Sequence, residues 1–366
     1  MLYSRRVIIN MYNETKQGLS DPLRILCAGN YDDRDQGRFF YSVIRKLTAG
    51  FNRTGHMVYP FSDRDIARAS NIFHTRTLGV RQTNRKFLMA CDHFKPDVIF
   101  LLHADIIKNE TLREIRHKYP HVKIAYCSVD LPTQPSTRQK LHRFADVVDT
   151  LFLTSSGEDQ RQFARPHNRV AFIPNPVDAS CERYRAFENP TPKAHVFAAM
   201  TGESTDPRIK TAEDLRRALP DLSFSYWSFS GNPSLLGADY LEELSACRMG
   251  LNLSRSNDMP LYASDRIAQY TGNGLLTFTH GATGLQALYD DNEMVFFDDT
   301  EELIDKVRYY AENDSMARTI AARGHAKAHG VYNERIIARY ILDVMTGDTS
   351  QSVCGHYLWP AEPLTV

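Results

Sequence analysis

At 366 residues the chain exceeds one ordinary domain and suits two of about 180. Hydrophobic residues at 42% and aromatics at 11% suffice for two buried cores. Net charge is zero, yet residues 1–187 carry 29 Lys and Arg against 19 Asp and Glu, and the remainder carry 15 against 25, so the two halves meet different partners. The six cysteines, at positions 27, 91, 127, 181, 247 and 354, form neither a CxxC pair nor a zinc spacing, which fits a reducing compartment. No apolar run approaches the roughly 20 residues of a membrane span, and the start lacks a signal-peptide core. The expectation is a cytoplasmic protein, with peripheral contact at the inner membrane face through the basic half. No helix-turn-helix, RRM or zinc-finger pattern is present, so nucleic acid is not expected as a partner.

In chain order, residues 1–22 read as a polar arm. Residues 23–29 are an apolar run ending in glycine, the look of a buried first strand. A loop rich in Asp follows over 30–37, then helical periodicity over 39–47, the opening of a doubly wound sheet without a GxGxxG fingerprint. Residues 63–96 read as a helical region carrying Arg64, Arg68, Arg76, Arg81, Arg85 and Lys86 beside Ile66, Phe73, Leu78, Phe87 and Met89. Such a stretch is a surface for an anionic membrane or a charged acceptor, or a solvated helical face. Residues 96–105 form the clearest strand and deliver His103 and Asp105 at its carboxyl end. A helix over 110–118 leads to a strand ending at Asp130. In open α/β sheets ligands bind beyond the carboxyl ends of strands, so His103, Asp105 and Asp130 are candidates for one mouth. The alternative for each is a cap or turn residue, favoured for Asp105. After further strands at 149–156 and 170–173, a Pro-containing stretch at 188–193 reads as a hinge between domains at 23–187 and 188–345, with a tail over 346–366.

The second domain opens with a strand over 195–200 and continues through Arg208 and Lys210 into a helix. A strand over 248–253 leads to Ser254-Arg255-Ser256. The stretch 262–303 holds the densest chemistry. Tyr262, Ser264, Asp265 and Arg266 precede a helix over 267–271, a Gly272-Asn273-Gly274 break and an apolar strand over 275–278. A second loop, His280-Gly281-Ala282-Thr283-Gly284, opens another short helix. Gly, Thr and Asn at helix openings turn backbone N–H groups outward, where they hold phosphate; the alternative is an ordinary strand-to-helix turn.

Tyr240-Leu241-Glu242-Glu243-Leu244, Arg248-Met249-Gly250-Leu251-Asn252-Leu253-Ser254, Tyr262, Ser264-Asp265-Arg266-Ile267, Gly274-Leu275-Leu276-Thr277, Phe297-Asp298-Asp299 and Glu301-Glu302-Leu303 together resemble the C-terminal domain of group 1 glycosyltransferases of the GT-B fold. The likeness is to the version carried by proteins similar to the spore maturation protein CgeB, over roughly residues 240–340. Arg53-Thr54-Gly55-His56-Met57-Val58 and Ile173-Pro174-Asn175-Pro176-Val177-Asp178 likewise resemble segments of that fold's first domain. The resemblance implies two Rossmann-like doubly wound α/β domains facing a cleft, the last long helical stretch, from 301 past 340, crossing back to the first domain.

It also implies a nucleotide-diphosphate-sugar as substrate, no cofactor or metal, and a glycan, lipid-linked or protein acceptor, in bacterial surface glycan synthesis. Arg208 and Lys210 are the only basic residues at the position where the fold neutralises the donor diphosphate, though their spacing departs from the usual one. The family's Glu-x7-Glu motif is absent, Leu261 and Gln269 standing in its places. Gln269 is then a neutral partner for ribose, Arg266 suits phosphate, Asp265 shares the task, and Tyr262 stacks on or bonds the donor. Ser254, His280, Gly281, Thr283 and Gly284 complete the expected donor site. His103 and Asp130 are the candidates for activating the acceptor hydroxyl. The missing glutamates leave a second reading, a nucleotide-sugar-binding or scaffold protein without turnover. An epimerase or phosphorylase is suggested by no motif.

Overall fold

Apolar runs that exclude any amphipathic period become strands buried on both faces. In the computed structural model, which describes residues 21–229 and 231–347 and the backbone of His356–Tyr357, all five residues of β3 (Val98–Leu102) are buried. The expected arm at 1–22 and tail at 346–366 lie almost wholly outside the described residues.

The chain divides into two compact units, residues 1–174 with 334–366, and residues 175–333. The first contains β1 (Arg24–Gly29), β2 (Met57–Ser62), β3, β4 (Lys123–Ser128), β5 (Thr150–Leu153) and β6 (Arg169–Phe172). The second contains β7 (Ala194–Ala199), β8 (Phe224–Trp227), β9 (Cys247–Asn252), β10 (Leu276–His280) and β11 (Val295–Phe297). His356–Tyr357, assigned no role from sequence, is β12, added in parallel to the outer edge of β6. The sheet orders are β12-β6-β5-β4-β3-β1-β2 and β11-β10-β9-β7-β8. All pairings are parallel, so helices cover both faces. In each sheet the second strand lies on one side of the first and the third on the other. The winding therefore reverses at β1/β3 and at β7/β9, and those are the crevices where such sheets take ligands.

The boundary between units falls at 174/175 rather than 187/188. Local hydrogen bonds explain the shift. Asn175 Nδ2 donates to the Ala263 carbonyl at 3.0 Å, Val177 N–H to Tyr332 at 2.9 Å, and Ala186 N–H to Asn273 at 2.9 Å. The buried Arg248 guanidinium donates to the carbonyls of Ala186 and Asn189. Each bond ties residues 175–189 to the second unit.

The expected helical stretches are subdivided. In the first unit, α1 (Val43–Arg53), α2 (Asp63–Ala69), α3 (Arg76–Phe94), α4 (Asn109–Lys118) and α5 (Pro135–Ala145) alternate with the strands, so the region 63–96 is two helices. Gly79 allows that pair to close up, since a Cβ there would run into the Ala67 carbonyl. The second unit holds α6 (Pro207–Ala218), α7 (Ala238–Ser245), α8 (Arg266–Gly272), α9 (Thr300–Glu312) and α10 (Asp314–Val331). The single last helix expected from 301 is thus α9, α10 and then α11 (Glu334–Thr346), which belongs to the first unit. There Arg53 Nη1 meets Glu334 Oε1 at 2.7 Å, Arg169 Nη1 donates to the Val344 carbonyl at 2.6 Å, and the Tyr340 hydroxyl donates to Phe172 at 2.9 Å. Each fully buried large apolar side chain in these cores contributes about 1.5–3 kcal/mol. Tyr126 and Phe144 stack at 3.8 Å in the first core, and Phe197 meets Tyr240 and Tyr270 edge-on in the second.

Candidate functional site

A cavity of about 360 Å³ opens at the carboxyl ends of β9, β10 and β11 and against the first turn of α6, which follows β7. It lies at the switch point of the second sheet, the place the strand order designates. Arg208, Ser254, Arg255, Asp258, His280 and Asp299 are among the residues lining it.

Arg208 is the buried cation of this cavity, 8% exposed. Pro207 and the cap Asp206 start α6, and Asp206 accepts the Arg208 N–H at 2.9 Å. The same carboxylate takes Arg208 Nε at 3.0 Å and Nη2 at 2.5 Å, while Nη2 also donates to the Thr201 carbonyl at 3.0 Å. The Arg208 hydrogen bond holds the Asp206 carboxyl below its ordinary range, so Asp206 stays ionised and the guanidinium stays in place. Nη1 makes no hydrogen bond among the described residues. Lys210, the other half of the expected pair, is exposed and lies outside the cavity lining.

Of the loop after β10, only His280 reaches the cavity. Its Nδ1 accepts the Ala282 N–H at 3.2 Å, leaving Nε2 to carry the proton of the neutral ring. The expected short helix is two 3-10 turns, Gly281–Thr283 and Leu285–Ala287. Gly284 is required because its φ is +68°, whereas a Cβ at Gly281 would meet only the exposed carboxylate of Asp298. Thr283 Oγ1 donates to the His280 carbonyl at 2.7 Å. The Gly284 N–H is spent on Gly281, as Ala282's is on His280. Gly281, Thr283 and Gly284 therefore shape the loop and lie outside the lining.

Tyr262, Asp265 and the first turn of α8 form the floor behind the lining. Arg266 Nη2 donates to the Leu253 carbonyl at 2.6 Å and Nη1 to Ala199 at 3.2 Å, a clamp across the carboxyl ends of β7 and β9. Gln269 is buried with both ends occupied, Oε1 accepting from the Tyr240 hydroxyl at 2.6 Å and Nε2 donating to Asp265 at 3.1 Å. Tyr262 is buried, and its carbonyl accepts from Ser254 Oγ at 3.4 Å. Among the expected donor residues the structure thus brings Arg208, Ser254 and His280 to the cavity and sets Tyr262, Asp265, Arg266 and Gln269 outside its lining. Arg255 lines it beside Ser254, in the loop expected after β9, and Asp258 lines it without having been singled out, its available signal being its place in that same loop.

In the first unit, His103 follows β3 with φ +47°, a left-handed conformation held by its own ring: Nε2 accepts the Val129 N–H at 3.1 Å. The proton then sits on Nδ1, 3.6 Å from Asp130 Oδ2. Burial lowers the His103 pKa, with Asp130 and Asp105 opposing, so the ring is neutral. Asp105 is no helix cap. It pairs with Arg64 at 2.8 Å and Lys140 at 3.2 Å. The Asp130 side chain is 51% exposed and is the accessible carboxylate of this group.

Asp63, unmarked in the sequence, is wholly buried beneath it. Its Oδ2 accepts the Ile106 N–H at 3.1 Å, Oδ1 has no hydrogen-bond partner, and burial raises its pKa to about 6. The folded state therefore binds this proton more tightly than the unfolded state, and stability falls as pH rises from about 4 through about 6. Asp63→Asn keeps an acceptor for Ile106 and removes that loss. The variant is expected to exceed the wild type by up to about 3 kcal/mol at pH 7, the gain vanishing below about pH 4, in urea melts across pH.

Among the described residues no three of His, Cys, Asp and Glu converge on a metal-binding arrangement. The five described cysteines are buried and none forms a disulfide among the described residues, with burial pushing the Cys27 thiol up to about 11.

A glycosyl transferase-like family model matches residues 208–343. No curated protein matches the chain in sequence. Among solved structures, sucrose-phosphate synthase from Thermosynechococcus elongatus is similar with a TM-score of 0.59 and 12% identity, over 88% of this chain and 98% of that one. HepE from Anabaena in complex with UDP and glucose gives 0.54 and 12%, over 88% and 99%. An α-glucosyltransferase in complex with UDP and a mismatched 13-mer DNA gives 0.60 and 13%, over 88% and 100%. The two units therefore carry the GT-B fold, and residues 208–343 are a glycosyl transferase-like region.

Proposed function

We propose that the chain is a glycosyltransferase moving a sugar from a nucleotide-diphosphate-sugar to a saccharide, lipid-linked or protein acceptor, of the CgeB-like kind and serving bacterial surface glycan synthesis at the cytoplasmic face. One observation carries the reading. A buried guanidinium with an uncommitted Nη1, Arg208, lines a cavity at the switch point of a parallel sheet, the place for an anionic leaving group. Arg208, with Arg255 on the facing loop, stabilises the diphosphate as its bond to the anomeric carbon breaks, and no metal or cofactor is required. UDP held by HepE and by the α-glucosyltransferase makes a UDP-linked donor the first to try.

The base proposed to take the acceptor hydroxyl's proton is the exposed Asp130 carboxylate of the first unit. His103 Nδ1 lies 3.6 Å from that carboxylate, within reach of a small movement of the Asp130 side chain. Asp130→Asn is expected to lower turnover by about 10²–10⁴-fold with donor affinity unchanged, measured by transfer rate beside calorimetry.

The test of the proposal is thermal stabilisation by UDP, GDP, dTDP, CDP, ADP and their sugar conjugates, followed by transfer assays with the one that stabilises. Stabilisation by none would remove the transferase reading. A nucleotide-sugar-binding protein without turnover is the second reading, favoured by Gln269, whose two ends are spent inside the floor. Stabilisation without transfer to any acceptor would decide for it.

A further inference from the structure

The first unit exposes an apolar tip set in a field of positive charge. Residues 72–78, between α2 and the first turn of α3, are all exposed, with Ile72 at 85%, Phe73 at 68% and Leu78 at 60%. The loop is firmly built. Asn71 Nδ2 donates to Ala67 at 2.9 Å and to Thr75 at 2.7 Å, and Asn71 Oδ1 accepts the Thr75 N–H at 3.2 Å. Two large apolar side chains are therefore held out in water by a loop that the Asn71 side chain ties down.

The helix that follows is two-sided. Gly79, Thr83, Asn84, Phe87 and Cys91 are its buried positions, whereas Leu78, Arg81, Gln82, Arg85, Lys86 and Met89 are exposed at helical spacing. Residues 66–91 contain Arg68, Arg76, Arg81, Arg85 and Lys86 and not one carboxylate. Arg76, Arg81, Arg85 and Lys86 enter no ion pair among the described residues. Among the described residues no helix is long and apolar enough to cross a membrane.

We infer that this face docks peripherally on an anionic lipid bilayer, Ile72 and Phe73 entering the acyl boundary while Arg76, Arg81, Arg85 and Lys86 meet headgroup phosphates. Charge complementarity selects an anionic surface, and the tip selects lipid, because bulky apolar side chains gain by leaving water into acyl chains and gain nothing beside a nucleic-acid backbone. Stable attachment without a span takes two signals, and both are present here, an apolar insertion and a cationic patch. The inference stands apart from the transfer reading, since docking requires neither donor nor turnover.

The experiment is vesicle flotation with the full chain, comparing phosphatidylcholine alone with phosphatidylcholine containing phosphatidylglycerol. Ile72→Ser with Phe73→Ser, and Arg81→Gln with Arg85→Gln and Lys86→Gln, are the two variants. All five residues are exposed, so matching melting curves confirm folding. Binding to the anionic vesicles alone is expected, weakening with salt. Each cation contributes about fivefold, so the triple variant binds about 100-fold less, and the Ser pair at least about tenfold less. Equal binding to both vesicles, binding to neither, or binding that survives both variants overturns the inference. So does tight binding to duplex DNA or RNA that needs the cations and ignores the Ser pair, which would give the face to nucleic acid.

Discussion

Arg208→Ala is expected to weaken nucleoside diphosphate binding by at least about 100-fold. Hydrogen bonds to a charged group are worth about 1.5–3 kcal/mol each, and one or two of them to a diphosphate amount to that factor. Stability falls as well, because Asp206 and the Thr201 carbonyl lose their charged donor, but the cap of α6 survives: alanine still offers the backbone N–H that Asp206 accepts at 2.9 Å. Arg208→Lys is expected to recover about tenfold at most. An ammonium cannot grip both Asp206 oxygens and reach Thr201 while still presenting a donor to the cavity. Titration calorimetry with the stabilising nucleotide reads both variants. Unchanged affinity in Arg208→Ala would take the residue out of the site.

Arg266→Ala is expected to act differently, by loosening the floor. Its guanidinium donates to the last carbonyl of β7 and to Leu253 just after β9, and those strands lead into the loops that carry Arg208 and Ser254. Two carbonyls lose charged donors, a cost of about 3 kcal/mol in unfolding free energy, partly offset because the buried Arg266 Nε already lacks a partner. Urea denaturation should show the drop, and calorimetry a weaker donor affinity with it. The pair of variants separates ligand contact from scaffold by proportion, since Arg208→Ala loses far more affinity than its loss of stability accounts for, whereas Arg266→Ala loses affinity only with the loosening of its strands. Wild-type stability in Arg266→Ala would show that the clamp is dispensable.

The contrast between these two arginines marks how far the sequence can be read. Uninterrupted apolar runs such as Val98–Leu102 have one physical solution in a parallel sheet, so strands and the polar residues at their ends were legible, His103 and Asp130 among them. What a polar side chain does once there depends on partners distant in the chain. Gln269 meets Tyr240 across 29 positions, Arg266 meets Ala199 across 67, and Asn175 meets Ala263 across 88. No local pattern records such pairings, so Gln269 and Arg266 looked like ligand contacts and are internal ties. The unit boundary was misplaced for the same cause: Pro-containing residues 188–193 have the composition of a linker, yet Arg248 binds the adjoining Ala186 and Asn189 carbonyls. Asp63 gave no sign at all, because an acid opening a helix is ordinary until its burial is seen.

The claim on which the account rests is that the nucleotide sits at the β7/β9 switch point. Hydrogen–deuterium exchange of the wild-type chain with and without the stabilising nucleotide tests it most directly. Slowed exchange concentrated in residues 201–211, 253–258 and 280–284 is the predicted result. Protection confined to the first unit, or absent from those three segments while the nucleotide is bound, would contradict it.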